Sequence, residues 1–182
     1  NGTEEWSASF AYHGFRYAEV IGAPEDFELT GEMIYTDFDE IGEFWCDDEM
    51  LNKVHLAARQ SILSNFVGLP TDCPQREQNG WTGDALMSVE QTLMNFDAVS
   101  SYKKWLRDIT DTQRPNGQIC CIAPTGGWGY NWGSGPAWDS VLIHLPYYIY
   151  CYTGDLSAIK EFWENMRLYM KFMDSMSDDN FV

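Results

Sequence analysis

The segment Asp72-Cys-Pro-Gln-Arg-Glu-Gln-Asn-Gly-Trp-Thr-Gly-Asp84 gathers three carboxylates (Asp72, Glu77, Asp84), one guanidinium (Arg76) and one indole (Trp81) into thirteen residues. Pro74, Gly80 and Gly83 bend the chain there, so the side chains can converge instead of alternating across a strand. Cleavage of a glycosidic bond requires a protonated carboxyl beside the leaving oxygen and a second carboxylate to activate water or attack the sugar. A carboxyl close to other carboxylates and to an aromatic wall keeps its proton to higher pH, which is what a general acid needs. Glu77 stands in that position. Asp72 and Asp84 are suited to accept hydrogen bonds from ring hydroxyls, and Trp81 to cover an apolar sugar face. The same residues also fit a structural role, with Asp84 capping the next helix and Arg76 pairing with Glu77. Types and spacing alone divide about evenly between the two.

Elements on either side must hold this turn. From Asp47 onward the apolar period is helical: Leu51, Val54, His55, Ala58, Ile62 and Phe66 fall on one face behind an aspartate N-cap, and Leu69-Pro70 closes the segment. Beyond the turn, Leu86, Val89, Leu93 and Phe96 mark a second helix, and Ala98, Tyr102, Trp105, Leu106 and Ile109 a third. So short a connection predicts antiparallel neighbours. A Gly-rich stretch from Arg114 to Pro136 has no sustained period and reads as a long functional loop. Its Trp128 and Trp132 fit either an aglycone site or a loop packed by its own aromatics. Trp138, Val141, Leu142, Leu145, Ile149 and Tyr152 predict a fourth helix, with Pro146 as a kink or early turn. Gly154 then stops one helix and Asp155 starts the next. Ile159, Phe162, Trp163, Met166, Tyr169, Met170 and Met173 give that last helix a core face. Before all of these, residues 10 to 36 are rich in aromatic and β-branched residues broken at Gly22-Ala-Pro24, and read as strands. Two strands alone do not make a stable sheet, so they read as the tail of a β-domain or as a short sheet packed on the helices.

Composition narrows the partners. Across 182 residues, 11 Lys and Arg stand against 28 Asp and Glu, a formal charge of -17 with pI near 4.2. Such a surface repels phosphate backbones, so nucleic acid is disfavoured as a partner. Hydrophobic residues make up 45% and aromatics 15%, enough to build a core and to line a pocket with rings. The five cysteines (Cys46, Cys73, Cys120, Cys121, Cys151) match no zinc spacing and read as free thiols. His13, His55 and His144 show no ligand spacing, so no metal is expected. No apolar run is long enough to span a bilayer and no signal peptide is visible in residues 1 to 182, which leaves periplasmic, extracellular and cytoplasmic locations open.

The run from Asp72 to Arg76, with Glu77 and Gly80-Trp-Thr-Gly-Asp84, resembles the signature of glycoside hydrolase family 78, the bacterial α-L-rhamnosidases. Gly14-Phe-Arg-Tyr-Ala-Glu-Val20 resembles the strand that ends their β-sandwich. Ala137-Trp138-Asp139 and Tyr150-Cys-Tyr-Thr-Gly-Asp155 resemble later helices of their catalytic domain. The similarity extends over nearly the whole chain. It implies a mainly α fold, the N-terminal half of an (α/α)6 barrel preceded by β-strands from a β-sandwich domain, with residues 1–42 as the strand segment and 43–182 as the partial barrel. It also implies an inverting hydrolase of terminal α-L-rhamnose in glycosides or polysaccharides, without a cofactor. Glu77 matches the family's general acid, and Asp72, Arg76, Trp81, Asp84 and Trp138 match positions that hold the sugar. Many members read Arg-Asp-Glu before a longer spacer, whereas this chain reads Arg76-Glu77-Gln78-Asn79 and is one residue shorter. That leaves Glu77 as the only acidic residue between Arg76 and Asp84. The general base is expected beyond Val182, so residues 1–182 alone are expected to be inactive. A partial array of this kind is also expected to leave an apolar face open and to self-associate. The alternatives are a non-catalytic carbohydrate-binding protein and an α/α-barrel hydrolase or lyase acting on another sugar.

Overall fold

The computed structural model describes residues 2–130 and 135–177 and is helical from Glu49 onward. Helix α1 (Glu49–Ser64) begins at Asp48, whose carboxylate accepts from the backbone N–H groups of Met50 and Leu51 at 2.8 and 3.3 Å and so satisfies two orphan donors of the first turn. The cap lies one residue beyond the Asp47 boundary read from the periodicity. Phe66 folds inward after α1, and Gly68 takes a positive φ of 78° where the chain reverses towards the acidic turn. Helix α2 (Thr82–Asn95) and helix α3 (Val99–Asp111) follow, joined by three residues, and bury the stripes that their spacing predicts: Val89 and Leu93 on one, Tyr102, Trp105, Leu106 and Ile109 on the other.

The Gly-rich stretch divides in two. Residues 119–123, Ile-Cys-Cys-Ile-Ala, are completely buried and thread through the core instead of forming a surface loop. Ala123 carbonyl accepts from the Trp105 indole at 2.8 Å, and Trp81 and Ile122 form an isolated antiparallel bridge. Gly117 makes this passage sterically feasible, because a Cβ there would lie 2.2 Å from the Leu168 carbonyl oxygen. From Pro124 to Tyr130 the stretch returns to the surface.

The expected fourth helix is two helices. A single turn, α4 (Pro136–Asp139), carries Trp138 and is followed after Ser140 by α5 (Val141–Thr153), inside which Pro146 lies. Gly154, at φ 74°, ends α5 with its N–H on the Tyr150 carbonyl. Asp155 accepts from the Ser157 backbone N–H at 2.8 Å and from its hydroxyl at 2.7 Å, opening α6 (Ser157–Met176). These bonds, with Lys103 at 3.7 Å, hold the Asp155 carboxyl below its ordinary pKa. Helix α5 packs between α2 and α6, and α3 closes the core against α5 and α6. Phe162, Met166 and Tyr169 of α6 are buried, whereas Trp163 and Met170 are 53% and 54% exposed and do not join the core. Helix α1 likewise leaves Met50, Leu51 and Val54 exposed.

The strands expected over residues 10–36 do not form. Among the described residues this segment has no β-pairing, and Phe10, Phe15, Tyr17 and Ile21 are exposed. A strand is stabilised by a partner's backbone and a face to pack on, and no neighbouring segment here offers either. Beyond a contact of Tyr12 with the acidic turn, the chain docks at Thr36, whose N–H meets the Phe66 carbonyl at 2.8 Å, and at Glu40, which bridges Phe96. Arg59 secures that docking: it donates to the Gly42 carbonyl and Asn95 Oδ1, pairs with Glu40 at 2.6 Å and lies over the Phe96 ring. Among the described residues no helix is long and apolar enough to cross a membrane.

Candidate active site

The acidic turn is held by its own polar groups. Asp72 N–H donates to the Asn79 carbonyl at 3.1 Å and Asn79 N–H returns to Asp72 Oδ1 at 3.0 Å, closing a loop around residues 73–78. The Cys73 thiol donates to Asp72 Oδ2 and accepts from the Glu77 N–H. Gln78, at φ 54°, donates from its side-chain amide to the carbonyls of Pro74 and Tyr12, tying the N-terminal segment to the turn. Two glycines are required by close approach. A Cβ on Gly80 would lie 2.3 Å from the Ala123 carbonyl oxygen, and one on Gly83 would lie 2.7 Å from the Trp138 indole. Thr82 N–H and hydroxyl both donate to the Cys121 carbonyl, so the buried strand of the loop sets where α2 begins.

A cavity of about 500 Å³ opens between this turn, α1, α2 and α4. Asp72, Asp84 and Trp138 line it, with Ile62, Phe66 and Pro70 as apolar walls and Ser61, Asn65, Ser88 and Gln91 as polar ones. The Asp84 carboxyl is raised above its ordinary pKa, first by burial, against its own backbone N–H, and further by the negative charges of Asp72 and Glu77. Asp72 and Asp84 both line the cavity, and Glu77 lies near enough to act on Asp84 from outside the lining. Glu77 is exposed at its edge and is not a lining residue; its Oε2 accepts from the Trp81 indole N–H at 2.8 Å. Arg76 is exposed as well. The turn therefore brings Asp72 and Asp84 to Trp138, pairs Glu77 with Trp81 beside them, and leaves Arg76 outward.

The structural alternative for these residues holds only in part: the Asp84 carboxyl accepts from its own N–H in the first turn of α2. Arg76 forms no ion pair with Glu77 among the described residues, and Asp84 occupies the third position of α2 without acting as its side-chain cap. Sequence reasoning missed the α2 wall of the cavity, although Met87, Ser88 and Gln91 follow Asp84 at helical spacings of three, four and seven. It also missed Asp139, which is completely buried beside Trp138. The signal was a lone carboxylate inside an otherwise apolar run. Trp128 is 42% exposed, and a Cβ on Gly126, two residues before it, would lie 4.0 Å from Asn79 Oδ1, so this end of the loop borders the acidic turn. Trp132 lies outside the described residues. Among the described residues no group of His, Cys, Asp and Glu is arranged to hold a metal, and the five cysteines form no disulfide.

Paired helices around a core, with a cavity lined by two carboxylates and aromatic rings, define the class as a helical-hairpin domain. Residues 39–181 match the family described as the bacterial alpha-L-rhamnosidase 6 hairpin glycosidase domain. An alpha-L-rhamnosidase of Formosa agariphila is 33% identical over 99% of this chain and 20% of its own length. Among solved structures, the alpha-L-rhamnosidase from Aspergillus terreus superimposes with a TM-score of 0.84 at 30% identity, over 92% of this chain and 20% of that one. The alpha-L-rhamnosidase from Dictyoglumus thermophilum gives a TM-score of 0.75 at 36% identity, over 80% and 16%. The chain belongs to the bacterial α-L-rhamnosidase six-hairpin glycosidase family. It spans about a fifth of the length of the curated relatives it matches, and its helices correspond to a portion of an α/α barrel.

Proposed function

We propose that the chain supplies the general-acid half of an inverting glycoside hydrolase that releases terminal α-L-rhamnose. The observation that carries this reading is a ring-walled cavity of about 500 Å³ lined by Asp72, Asp84 and Trp138, with Glu77 close enough to Asp84 for its charge to be felt there; the volume is well inside the range of about 300–1,000 Å³ for small-molecule sites. In this reading Asp72 and Asp84 accept hydrogen bonds from the sugar hydroxyls and Trp138 covers an apolar ring face. Glu77, oriented by Trp81 at the cavity edge, protonates the departing oxygen, and Arg76 contacts the glycoside beyond the sugar. Burial raises the Asp84 carboxyl above its ordinary value, and the negative charges of Asp72 and Glu77 add to that.

Single displacement also needs a base on the opposite sugar face, about 6.5–9.5 Å from the acid. In this proposal that base belongs to a part of the full-length protein outside residues 1–182. Residues 43–182 then form the first part of an (α/α)6 barrel, and residues 1–42 lead into it from a β-domain. The open apolar faces of α1 and α6 are covered by the remainder of that barrel in the full-length protein, or by a second copy of the isolated chain.

The exposure of Glu77 outside the lining residues favours one second reading, a sugar-binding site without catalysis. Incubation of the full-length protein with an aryl α-L-rhamnoside, followed by NMR of the first anomer formed, separates the two. Initial release of β-L-rhamnose supports inversion, initial α-L-rhamnose refutes it, and saturable rhamnose binding without release establishes the second reading.

A further inference from the structure

Asp139 is the one fully buried carboxylate among the described residues. Its Oδ2 accepts from the Gly135 N–H at 3.1 Å, while the N–H groups of Asp139 and Trp138 both donate to the Gly135 carbonyl, at 2.9 and 3.0 Å. Three hydrogen bonds thus fasten one turn of backbone to a residue with φ 153°. The two side chains at its end go opposite ways. Trp138 lines the cavity, its ring so close to Gly83 that not even a methyl group fits between them. Asp139 goes into the core, where its charge reaches Cys120 and Cys121 of the buried loop and Tyr169 of α6. None of these is a cation, and among the described residues Asp139 Oδ1 and the Tyr169 hydroxyl have no hydrogen-bond partner. A carboxyl in such a place is expensive. Among the described residues its one side-chain bond is the one that closes the turn beneath Trp138.

We infer that Asp139 is a positioning residue for the sugar cavity: its buried side chain closes the Gly135–Asp139 turn and thereby sets the angle at which the Trp138 ring stands over Gly83. The inference rests on the reading of the cavity as a rhamnose site, but the placement of the ring is measurable without sugar. Burial raises the Asp139 carboxyl to about 7, and the groups facing it, Cys120, Cys121 and Tyr169, supply no counter-charge. Ionisation as pH rises through neutrality therefore places an uncompensated charge beneath the ring, and the environment of Trp138 changes with it.

The test uses the full-length protein carrying 5-fluorotryptophan, with the Trp138 fluorine resonance assigned by its loss in Trp138→Phe. Asp139→Ala should shift or broaden that resonance without sugar and weaken L-rhamnose binding by about tenfold or more, as expected for a misplaced contact group. Asp139→Asn, which keeps an acceptor for the Gly135 N–H, should preserve both to within about threefold and remove the pH dependence of the resonance. The double variant Asp139→Ala/Trp138→Ala should bind no more weakly than Trp138→Ala alone. An unmoved Trp138 resonance in Asp139→Ala, or additive losses in the double variant, overturns the positioning role. If Trp138→Ala binds L-rhamnose as tightly as the unaltered protein, the sugar-cavity reading fails, and the fluorine resonance still decides whether Asp139 places the ring.

Discussion

Replacement of Asp139 by asparagine removes a titration that the fold resists. The folded carboxyl lies at about 7 against an ordinary value of 3.8, so between those values the native state keeps a proton that the unfolded chain releases. Where the unfolded state binds fewer protons, stability falls as pH rises. The loss starts near pH 4, accumulates to about pH 7 and is flat above it. A gap of about three in pKa, at about 1.36 kcal/mol for each, sets its size on the order of 4 kcal/mol. The asparagine of Asp139→Asn cannot ionise, and its extra amide donors have no evident partner, which costs about 1–3 kcal/mol at every pH. The variant should therefore be slightly less stable than the unaltered protein at about pH 5 and about 1–3 kcal/mol more stable at about pH 8. Hydrogen exchange of peptides covering residues 135–149 in the full-length protein, corrected for intrinsic rates, reads the opening of this turn at both pH values. Taking the difference between variant and unaltered protein cancels the titration of the other carboxylates. A difference that does not change with pH, or one that favours the unaltered protein at the higher pH, refutes the burial argument.

Two further outcomes test the packing around the site. Gly83→Ala places a methyl group against the Trp138 ring, which is a flexible side chain on a one-turn helix. Rhamnose binding should fall about tenfold or more while the thermal midpoint changes little, and calorimetry with a melting curve separates the two effects. Arg59→Ala removes the donors to Gly42 and Asn95 and the pairing with Glu40. It should destabilise the docking of residues 36–43 by about 1–3 kcal/mol, seen as faster proteolysis of that segment, with sugar binding unchanged.

The helices that carry the site were legible where one face is buried and the other wet. Val89 and Leu93, then Tyr102, Trp105 and Ile109, recur at helical spacing and are buried as that spacing predicts. Gly154 and Asp155 were readable because stop and start chemistry is local. Residues 10–36 mislead because aromatic and β-branched residues report fitness for a pleated, half-buried surface, and not the presence of a partner strand. The loop from Arg114 reads as one long functional loop because it is short of period, and its buried part is not announced. Five consecutive apolar residues at 119–123 can be buried without any period, since their burial is fixed by α2 and α3 on either side. Trp163 and Met170 share a helix with core residues but face away from α5, a distinction that depends on where the neighbouring helices lie. At the site, Asp72, Asp84 and Trp138 were recoverable as a set through family resemblance, while residue types alone left a structural cluster equally good. The inward turn of Asp139 follows from the break at Ser140, which no residue type announces.

The proton-donor role proposed for Glu77 is tested most directly by Glu77→Gln in the full-length protein, comparing kcat/KM on aryl α-L-rhamnosides whose leaving phenols span a wide range of acidity. Expected is a loss of about 100-fold or more on poor leaving groups that shrinks towards none on the best, because a good leaving group departs without protonation. Equal loss across the series, or the same leaving-group dependence produced by Asp84→Asn and not by Glu77→Gln, would contradict it.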